Sequence, residues 1–265
     1  MSGQPILDKA KVRHAFGQAA QTYDAVTQLQ RDVGNTLLQN EKNIFEAGAI
    51  LDIGCGTGFL TDGLLGQARG GHVVALDLAL PMLQMARNRL QGAGNNVAYL
   101  CADAEKLPLA RQTVDVVYSN LALQWCMDLA AVFVEVRRVL KPGGRLVFSI
   151  FGPRTLQELK QAWACVDSYR HVNFFYSLPE LGDFLRQAGF VVVTTRQQAY
   201  CPRYASVRLL MQELKAIGAH NVNTGRNKHL TTKTQLHNMM AAYPVCGHTG
   251  DIVATFEVFT LTAQA

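Results

Sequence analysis

No stretch of this 265-residue chain approaches the run of about eighteen apolar residues that a membrane span needs. Met1 to Phe16 carries charge throughout, where a secretory signal would have an apolar segment. A cytoplasmic, non-membrane protein is therefore expected. The cysteines, Cys55, Cys101, Cys126, Cys165, Cys201 and Cys246, form no C-x-x-C pair and have no histidine at ligand spacing, so no metal site is expected and most of the thiols read as reduced core residues. No run of five or six Lys or Arg occurs either. The net charge of +5 and a pI near 8.9 suit an acidic partner without demanding nucleic acid. No repeat or low-complexity linker interrupts a composition that is 49% hydrophobic and 17% charged, which is that of a globular protein with a substantial core.

What is present is organised around Ile50 to Leu60, Ile-Leu-Asp-Ile-Gly-Cys-Gly-Thr-Gly-Phe-Leu. An apolar run broken only by Asp52 leads into Gly54, Gly56 and Gly58 and then into an amphipathic stretch: a buried strand, a tight turn and a helix start. Alternate glycines let the main chain approach a ligand closely, since no Cβ intervenes and positive φ costs little. A dinucleotide fingerprint would need its third glycine at Phe59. The pattern is instead D-x-G-x-G-x-G headed by Asp52, and here the chain resembles the class I S-adenosylmethionine (AdoMet) methyltransferases. His72 to Leu76 reads as a second strand ending in Asp77, placed to accept ribose hydroxyl protons, as it would be in a nicotinamide enzyme too. Val97 to Cys101 reads as a third strand followed by Asp103-Ala104. The resemblance implies that Asp103 accepts from the adenine amine, and it gives a cofactor set of Asp52, Gly54, Gly56, Gly58, Asp77, Leu78, Asp103, Ala104 and Asn120.

The order of elements predicts an α/β fold: a Rossmann-like, seven-stranded, mostly parallel sheet with helical lid insertions. Lys9 to Leu38 reads as two helices with Tyr23-Asp24 between them, an N-terminal cover over residues 1–45. The AdoMet-binding core spans 46–150. Within it Phe59 to Gln67 and Met82 to Leu90 are helices, the latter begun by Pro81. Thr113 to Tyr118 is strand four, Asp128 to Leu140 a helix, and Lys141-Pro142-Gly143-Gly144 a stop before strand five, Arg145 to Ile150. Residues 151–188 form a first helical insert and a core helix, 189–200 a core strand, 201–248 a second helical lid, and 249–265 a final antiparallel strand read over Ile252 to Phe259. Strand four ends in Ser119-Asn120-Leu121-Ala122-Leu123-Gln124-Trp125. That stretch lacks the N/D-P-P-Y/F/W element usual in enzymes that methylate base amines, which counts against a nucleic-acid acceptor. Trp125 could wall the transfer channel, and the Tyr23 hydroxyl could reach cofactor or substrate.

The second insert carries the most specific text: Leu214-Lys215-Ala216-Ile217-Gly218-Ala219-His220, Gly225-Arg226, Leu230-Thr231 and a helix with Gln235-Leu236. With Phe16-Gly17, Tyr23-Asp24, Gln30-Arg31, Gln124-Trp125, Gln161-Ala162-Trp163, Val166-Asp167 and His171, it resembles the malonyl-[acyl-carrier-protein] O-methyltransferases of biotin synthesis across nearly the whole chain. The resemblance implies methylation of the free carboxylate of a malonyl thioester, on acyl carrier protein or coenzyme A, with no membrane or nucleic-acid partner. One departure is Phe174, where the family often has Arg. A malonyl carboxylate is ionised near neutral pH, so no general base is expected, only alignment and a cation or paired donors. Arg226 is the leading carboxylate ligand, since a planar guanidinium fixes an oxyanion's orientation; Tyr23, Lys215, His220 and Trp125 are the other candidates. Arg154, Lys160, Arg170, Arg203, Arg208, Arg226 and Lys228 fall in or beside the inserts and could form a basic docking patch for an acidic carrier. Two rival readings are a small-molecule carboxyl methyltransferase acting on a free di- or tricarboxylic acid, and a non-catalytic AdoMet-binding partner protein.

Overall fold

The computed structural model describes residues 8–40, 48–67, 71–219, 231–246 and 250–265. Asp8 caps helix α1 (Lys9–Ala19) by accepting from the Lys11 N–H, and Val12, Ala15 and Ala19 form its buried stripe. A short 3-10 turn at Tyr23–Ala25 leads to α2 (Gln28–Asn40). The core then alternates: β1 (Ala49–Ile53), α3 (Phe59–Leu65), β2 (His72–Asp77), α4 (Leu80–Arg89), β3 (Val97–Cys101), β4 (Val114–Asn120), α5 (Leu129–Val139) and β5 (Leu140–Phe151). The first insert supplies α6 (Gln157–Ala164) and is followed by α7 (Leu178–Gln187) and β6 (Val191–Tyr200); the second contains β7 (Arg203–Tyr204), α8 (Val207–Ala216), α9 (Lys233–Ala242), β8 (Val245–Cys246) and β9 (Asp251–Val253), before β10 (Phe256–Gln264) closes the chain.

Seven strands form one sheet in the order β3-β2-β1-β4-β5-β10-β6. The first five run parallel, while β10 pairs antiparallel with both β5 and β6. Ile50, Leu51, Val117 and Leu146 lose all solvent contact, because crossover helices cover both faces of a parallel sheet. The inserts bury a second cluster of their own, Leu159, Trp163, Val172, Leu210, Met239 and Ile252, which meets the sheet through Phe256.

Two boundaries differ from the sequence reading. The Lys141–Gly144 turn does end α5, but the chain is already in the sheet: Leu140 pairs with Val114, and the ladder resumes at Arg145 opposite Val116 after an irregularity. The last core strand starts at Phe256, and the Ile252 segment belongs to a small sheet, β7-β9-β8. A strand-like run broken only by Thr255 and Glu257 gives no clear sign of that break. Tertiary contacts impose it, since the Thr255 N–H donates to Glu158 Oε2 at 3.0 Å and the Thr255 carbonyl accepts from the Leu156 N–H at 2.6 Å. The end of β6 at Tyr200 agrees with the expected 189–200 strand; it is a solvent-facing edge whose later residues, Thr194 to Gln198, are polar or charged, which protects the edge from further pairing.

Glu257 fastens the far side of the sheet. It is almost fully buried, with Oε2 accepting from the Arg154 N–H at 2.9 Å and Oε1 from Gln197 Nε2 at 2.7 Å. A Cβ on Gly152 would stand 2.5 Å from Glu257 Oε2 and 2.6 Å from Phe259 Cζ. Gly152→Ala is therefore expected to destabilise the fold by about 1–3 kcal/mol through overpacking, measured by denaturant unfolding.

Asp52 is the buried acid of β1. Its Oδ2 accepts the Thr61 hydroxyl at 2.6 Å, tying strand to helix, while Oδ1 has no partner. Burial lifts its carboxyl to about 7, against the Thr61 hydrogen bond and with help from the Asp77 charge. In the unfolded chain it ionises near the usual value of about 4. The folded state therefore keeps its full contribution below that value and loses it as pH rises toward 7. Asp52→Asn cannot ionise, so its melting temperature relative to the parent should rise between pH 4 and 7 and level off above; a pH-independent difference would contradict the assignment.

Candidate active site

The turn after β1 is held from beneath by the end of β2. The N–H groups of Gly54 and Cys55 both donate to the Leu76 carbonyl, at 2.8 and 2.9 Å. The Gly56 N–H donates to Asp77 Oδ2 at 2.9 Å, and the Ala79 N–H to Asp77 Oδ1 at 2.8 Å. Gly54, Gly56 and Gly58 all have positive φ, yet they do different work. A Cβ on Gly54 would fall 2.2 Å from the Ala122 Cβ, and one on Gly58 would lie 3.0 Å from the Ala86 Cβ. Gly54 thus lets β1 approach the end of β4, and Gly58 seats α3 on α4. At Gly56 the nearest atom to an added Cβ is Tyr23 Cε1 at 3.9 Å, so there the main chain faces open space.

That space is a cleft of about 730 Å³ at the carboxyl ends of β1, β2, β3 and β4, where an open α/β sheet binds its ligand. Gly54, Gly56, Asp77, Leu78, Asp103, Ala104 and Asn120 line it, as do Tyr23 and Trp125. Asp52 and Gly58 from the expected cofactor set do not: they lie behind the turn and shape it. Asp77 is pushed up to about 6 by burial, against the N–H groups of Ala79, Gly56 and Leu78. Burial first, then the charges of Asp77 and Asp24, raise the Tyr23 hydroxyl above its ordinary value and keep it a neutral donor.

Helix α1 closes the cleft with Phe16 and with Lys9, a residue that no sequence pattern singled out. Lys9 bonds to Asp103 and reaches Glu105 at 2.9 Å, while the Glu105 N–H donates to Asp103 Oδ1 at 3.0 Å. Burial works against the Lys9 charge, but hydrogen bonds to the two acids outweigh it and raise its ammonium. Phe16 packs edge-on against Trp125, ring centroids 5.2 Å apart. Asn120 is held at both ends of its amide, donating to the Gln30 carbonyl at 2.8 Å and accepting from Ser149 Oγ at 2.7 Å. Leu121 follows with φ of +47°, a conformation rare for a branched side chain and held here by an N–H donating to the Ser149 carbonyl. AdoMet fits this lining. Gly56 offers bare main chain, two acids stand at the ends of β2 and β3, and Leu76, Met82 and Leu123 supply apolar walls.

Trp125 also lines a second cavity of about 670 Å³, roofed by the inserts and mostly apolar, with Leu29, Phe151, Leu156, Phe175 and Phe256 on its walls. Its polar groups are Gln30, Thr155, His171, Asn173 and Glu213. His171 is fixed by Asp167 Oδ1 at 2.8 Å and stacks on Trp163, centroids 3.7 Å apart. The Glu213 carboxylate accepts the Tyr204 hydroxyl at 2.8 Å. Lys215 lines neither cavity and sits on the exposed face of α8, although its neighbours Glu213 and Leu214 reach the second one. Arg226, His220 and Lys228 lie outside the described residues. Phe174 is exposed, with the Arg170 guanidinium carbon 5.9 Å from its ring centroid. Among the described residues no cluster of His, Cys, Asp and Glu could hold a metal, and no helix is long and apolar enough to cross a membrane.

Comparison with known proteins agrees with this layout. A methyltransferase-domain family model matches residues 51–148. A malonyl-[acyl-carrier protein] O-methyltransferase of Gallionella capsiferriformans is 40% identical over 259 residues, covering 96% of this chain and 89% of the relative. The biotin biosynthesis bifunctional protein BioHC of Cellvibrio japonicus is 41% identical over 255 residues, which span 96% of this chain and 50% of that longer protein. Of solved structures, YcgJ from Bacillus subtilis aligns with a TM-score of 0.61 at 15% identity over 87% of this chain and 98% of its own. A SAM-dependent methyltransferase from Aquifex aeolicus gives 0.51 at 22% identity over 71% and 91%; both are likenesses of fold. Full-length identity at this level, on a class I methyltransferase sheet with the glycine turn and the lid in place, means that the chain belongs to the malonyl-[acyl-carrier protein] O-methyltransferase family of S-adenosylmethionine-dependent enzymes.

Proposed function

We propose that this protein methylates the free carboxylate of a malonyl thioester carried by acyl carrier protein or coenzyme A, an early step of pimeloyl and biotin synthesis. The observation that carries the reading is the position of Trp125, shared between the cofactor cleft and an apolar pocket under the inserts. AdoMet, when bound, supplies an electrophilic sulfonium methyl. In this reading Asp77 holds the ribose hydroxyls, Asp103 the adenine amine, and the bare main chain at Gly56 lies against the methionine portion. The malonyl carboxylate is already ionised, so no residue need remove a proton, and the protein's contribution is orientation and exclusion of water. Trp125, packed on Phe16, lines both cavities. Arg226 is our choice for gripping one carboxylate oxygen, with Tyr23 as a further donor.

Labelled AdoMet offered with malonyl-carrier protein, malonyl-coenzyme A, free malonate, aconitate and acetyl-carrier protein tests this directly. Label should enter the malonyl thioesters alone and fall at least about tenfold in kcat in Trp125→Ala, if that ring aligns the reactants. Arg226→Ala should lose transfer while still binding AdoMet. Label on a free acid would overturn the reading in favour of a small-molecule enzyme, and AdoMet binding with no transfer at all would leave a non-catalytic binding protein.

A second expectation concerns pH. Ribose hydroxyls donate to an ionised Asp77, so AdoMet affinity should fall as pH drops through about 6, by up to about tenfold per unit. Of the groups around Asp77, Tyr23 and Cys55 are both raised by burial and stay neutral over this range, which leaves Asp52 as the other titrating acid. Calorimetry on Asp77→Asn should give weaker, pH-flat binding, whereas Asp52→Asn should keep the slope.

A further inference from the structure

A third groove, of about 830 Å³, opens beside the acyl pocket and shares with it His171, Val172, Asn173 and Phe175. The two are therefore neighbours, and the inner one reaches Trp125. The groove is cationic: Lys160 and Arg170 line it, and among the described residues no carboxylate does. The acids nearest Lys160 are committed elsewhere, Glu158 to Thr255 and Glu257 to Arg154 and Gln197. Lys160 Nζ donates to the Pro153 carbonyl at 2.8 Å and rests 5.5 Å from the Phe175 ring centroid. Burial, reinforced by Arg170, pulls its ammonium down to about 8 despite Glu257 and Glu158. A second anion at that spot would relieve the strain on a half-buried cation. Where the two cavities meet, the Asn173 side-chain oxygen is buried and accepts no hydrogen bond, an arrangement that asks for an N–H donor from a ligand.

Cations at the mouth, an orphaned acceptor midway and an apolar pocket at the end match, in order, a phosphodiester, an amide and an acyl thioester. We propose that this groove takes the phosphopantetheine arm of the substrate: Asn173 accepts from the amide N–H two carbons from the thioester sulfur, and Lys160 with Arg170 binds the phosphate. The assignment deepens the proposed function and rests on it. It also names chemistry common to both carriers, since acyl carrier protein and coenzyme A present the same arm and phosphate.

The test uses substrates cut back along the arm. For the Lys160→Gln/Arg170→Gln double variant, KM for malonyl-carrier protein and malonyl-coenzyme A should rise about tenfold or more, as expected for lost charge-assisted contacts, with KM for malonyl-pantetheine, which lacks the phosphate, unchanged. Asn173→Ala should raise KM for all three. Unchanged AdoMet affinity in each variant verifies the fold. An equal effect on malonyl-pantetheine, or none on any substrate, overturns the phosphate site; an effect confined to the carrier-protein substrate means that the cations read the carrier's surface and overturns it too. If the parent methylates no malonyl thioester, the proposed function has failed, and the groove is judged by calorimetry alone. There, 4′-phosphopantetheine must bind the parent more tightly than pantetheine, and the double variant must abolish the difference; equal binding of the two overturns the inference.

Discussion

The main chain at Gly54 passes so near Ala122 that no side chain larger than hydrogen can occupy the position: an added Cβ would lie 2.2 Å from the Ala122 Cβ. This close approach joins the end of β1 to the end of β4 and so fixes the floor of the cleft. It would be useless if the turn could move. Three of its N–H groups tie it to the end of β2, two to the Leu76 carbonyl and one to Asp77 Oδ2, while Asp77 Oδ1 accepts from the Ala79 N–H. Asp77 thus shapes the turn and also lines the cleft, and the N–H groups of the turn and of its own loop support an acid whose burial penalises its charge.

How much of this the sequence disclosed follows from the range of the interactions. Strands β1, β2 and β3, the glycine turn and the acids at 77 and 103 are local text, written by apolar runs and the residues that end them, and they were legible. So was the cap of α5, where Asp128 accepts from the Ala131 N–H. The contacts of Lys9 were not legible, because its partners Asp103 and Glu105 are far along the chain and a lysine at a helix start looks like any solvated charge. The switch from β9 to β10 was missed for a similar reason, being made by Glu158 and Leu156 on another element. Within the glycine motif, sequence treated Asp52, Gly54, Gly56 and Gly58 as one binding unit. Only three-dimensional packing separates Gly56, which faces the cleft, from Gly58 and Asp52, which build it.

The N-terminal helix and the inserts convert an open crevice into an enclosed site. A bare doubly wound sheet would leave both ligands exposed at the strand ends. Here α1 lies across the Asp103 end of the cleft through Lys9 and meets Trp125 through the Phe16 ring contact. The inserts roof the other side with a hydrophobic cluster of their own, so the substrate pocket rests on packed side chains and not only on loops. Trp125 is the one aromatic common to both cavities, and it is anchored on a short turn that begins directly after the strained Leu121.

This division of labour suits a reaction whose nucleophile arrives already charged. An enzyme that must create its nucleophile needs a base tuned near neutral pH, set against the substrate. Among the described residues, no titratable group on the acyl-pocket wall is arranged that way: His171 is stacked and tied to Asp167, and the Glu213 carboxylate accepts the Tyr204 hydroxyl. The raised acids, Asp52 and Asp77, instead belong to the cofactor side, where burial and hydrogen bonds to the turn account for them. What the acyl side offers is shape, apolar walls and a few oriented polar groups. Those are the means by which a site selects one carboxylate for its position on a longer molecule, and a single carboxylate differs little in intrinsic reactivity from any other, so selection must come from the parts of the substrate that do not react.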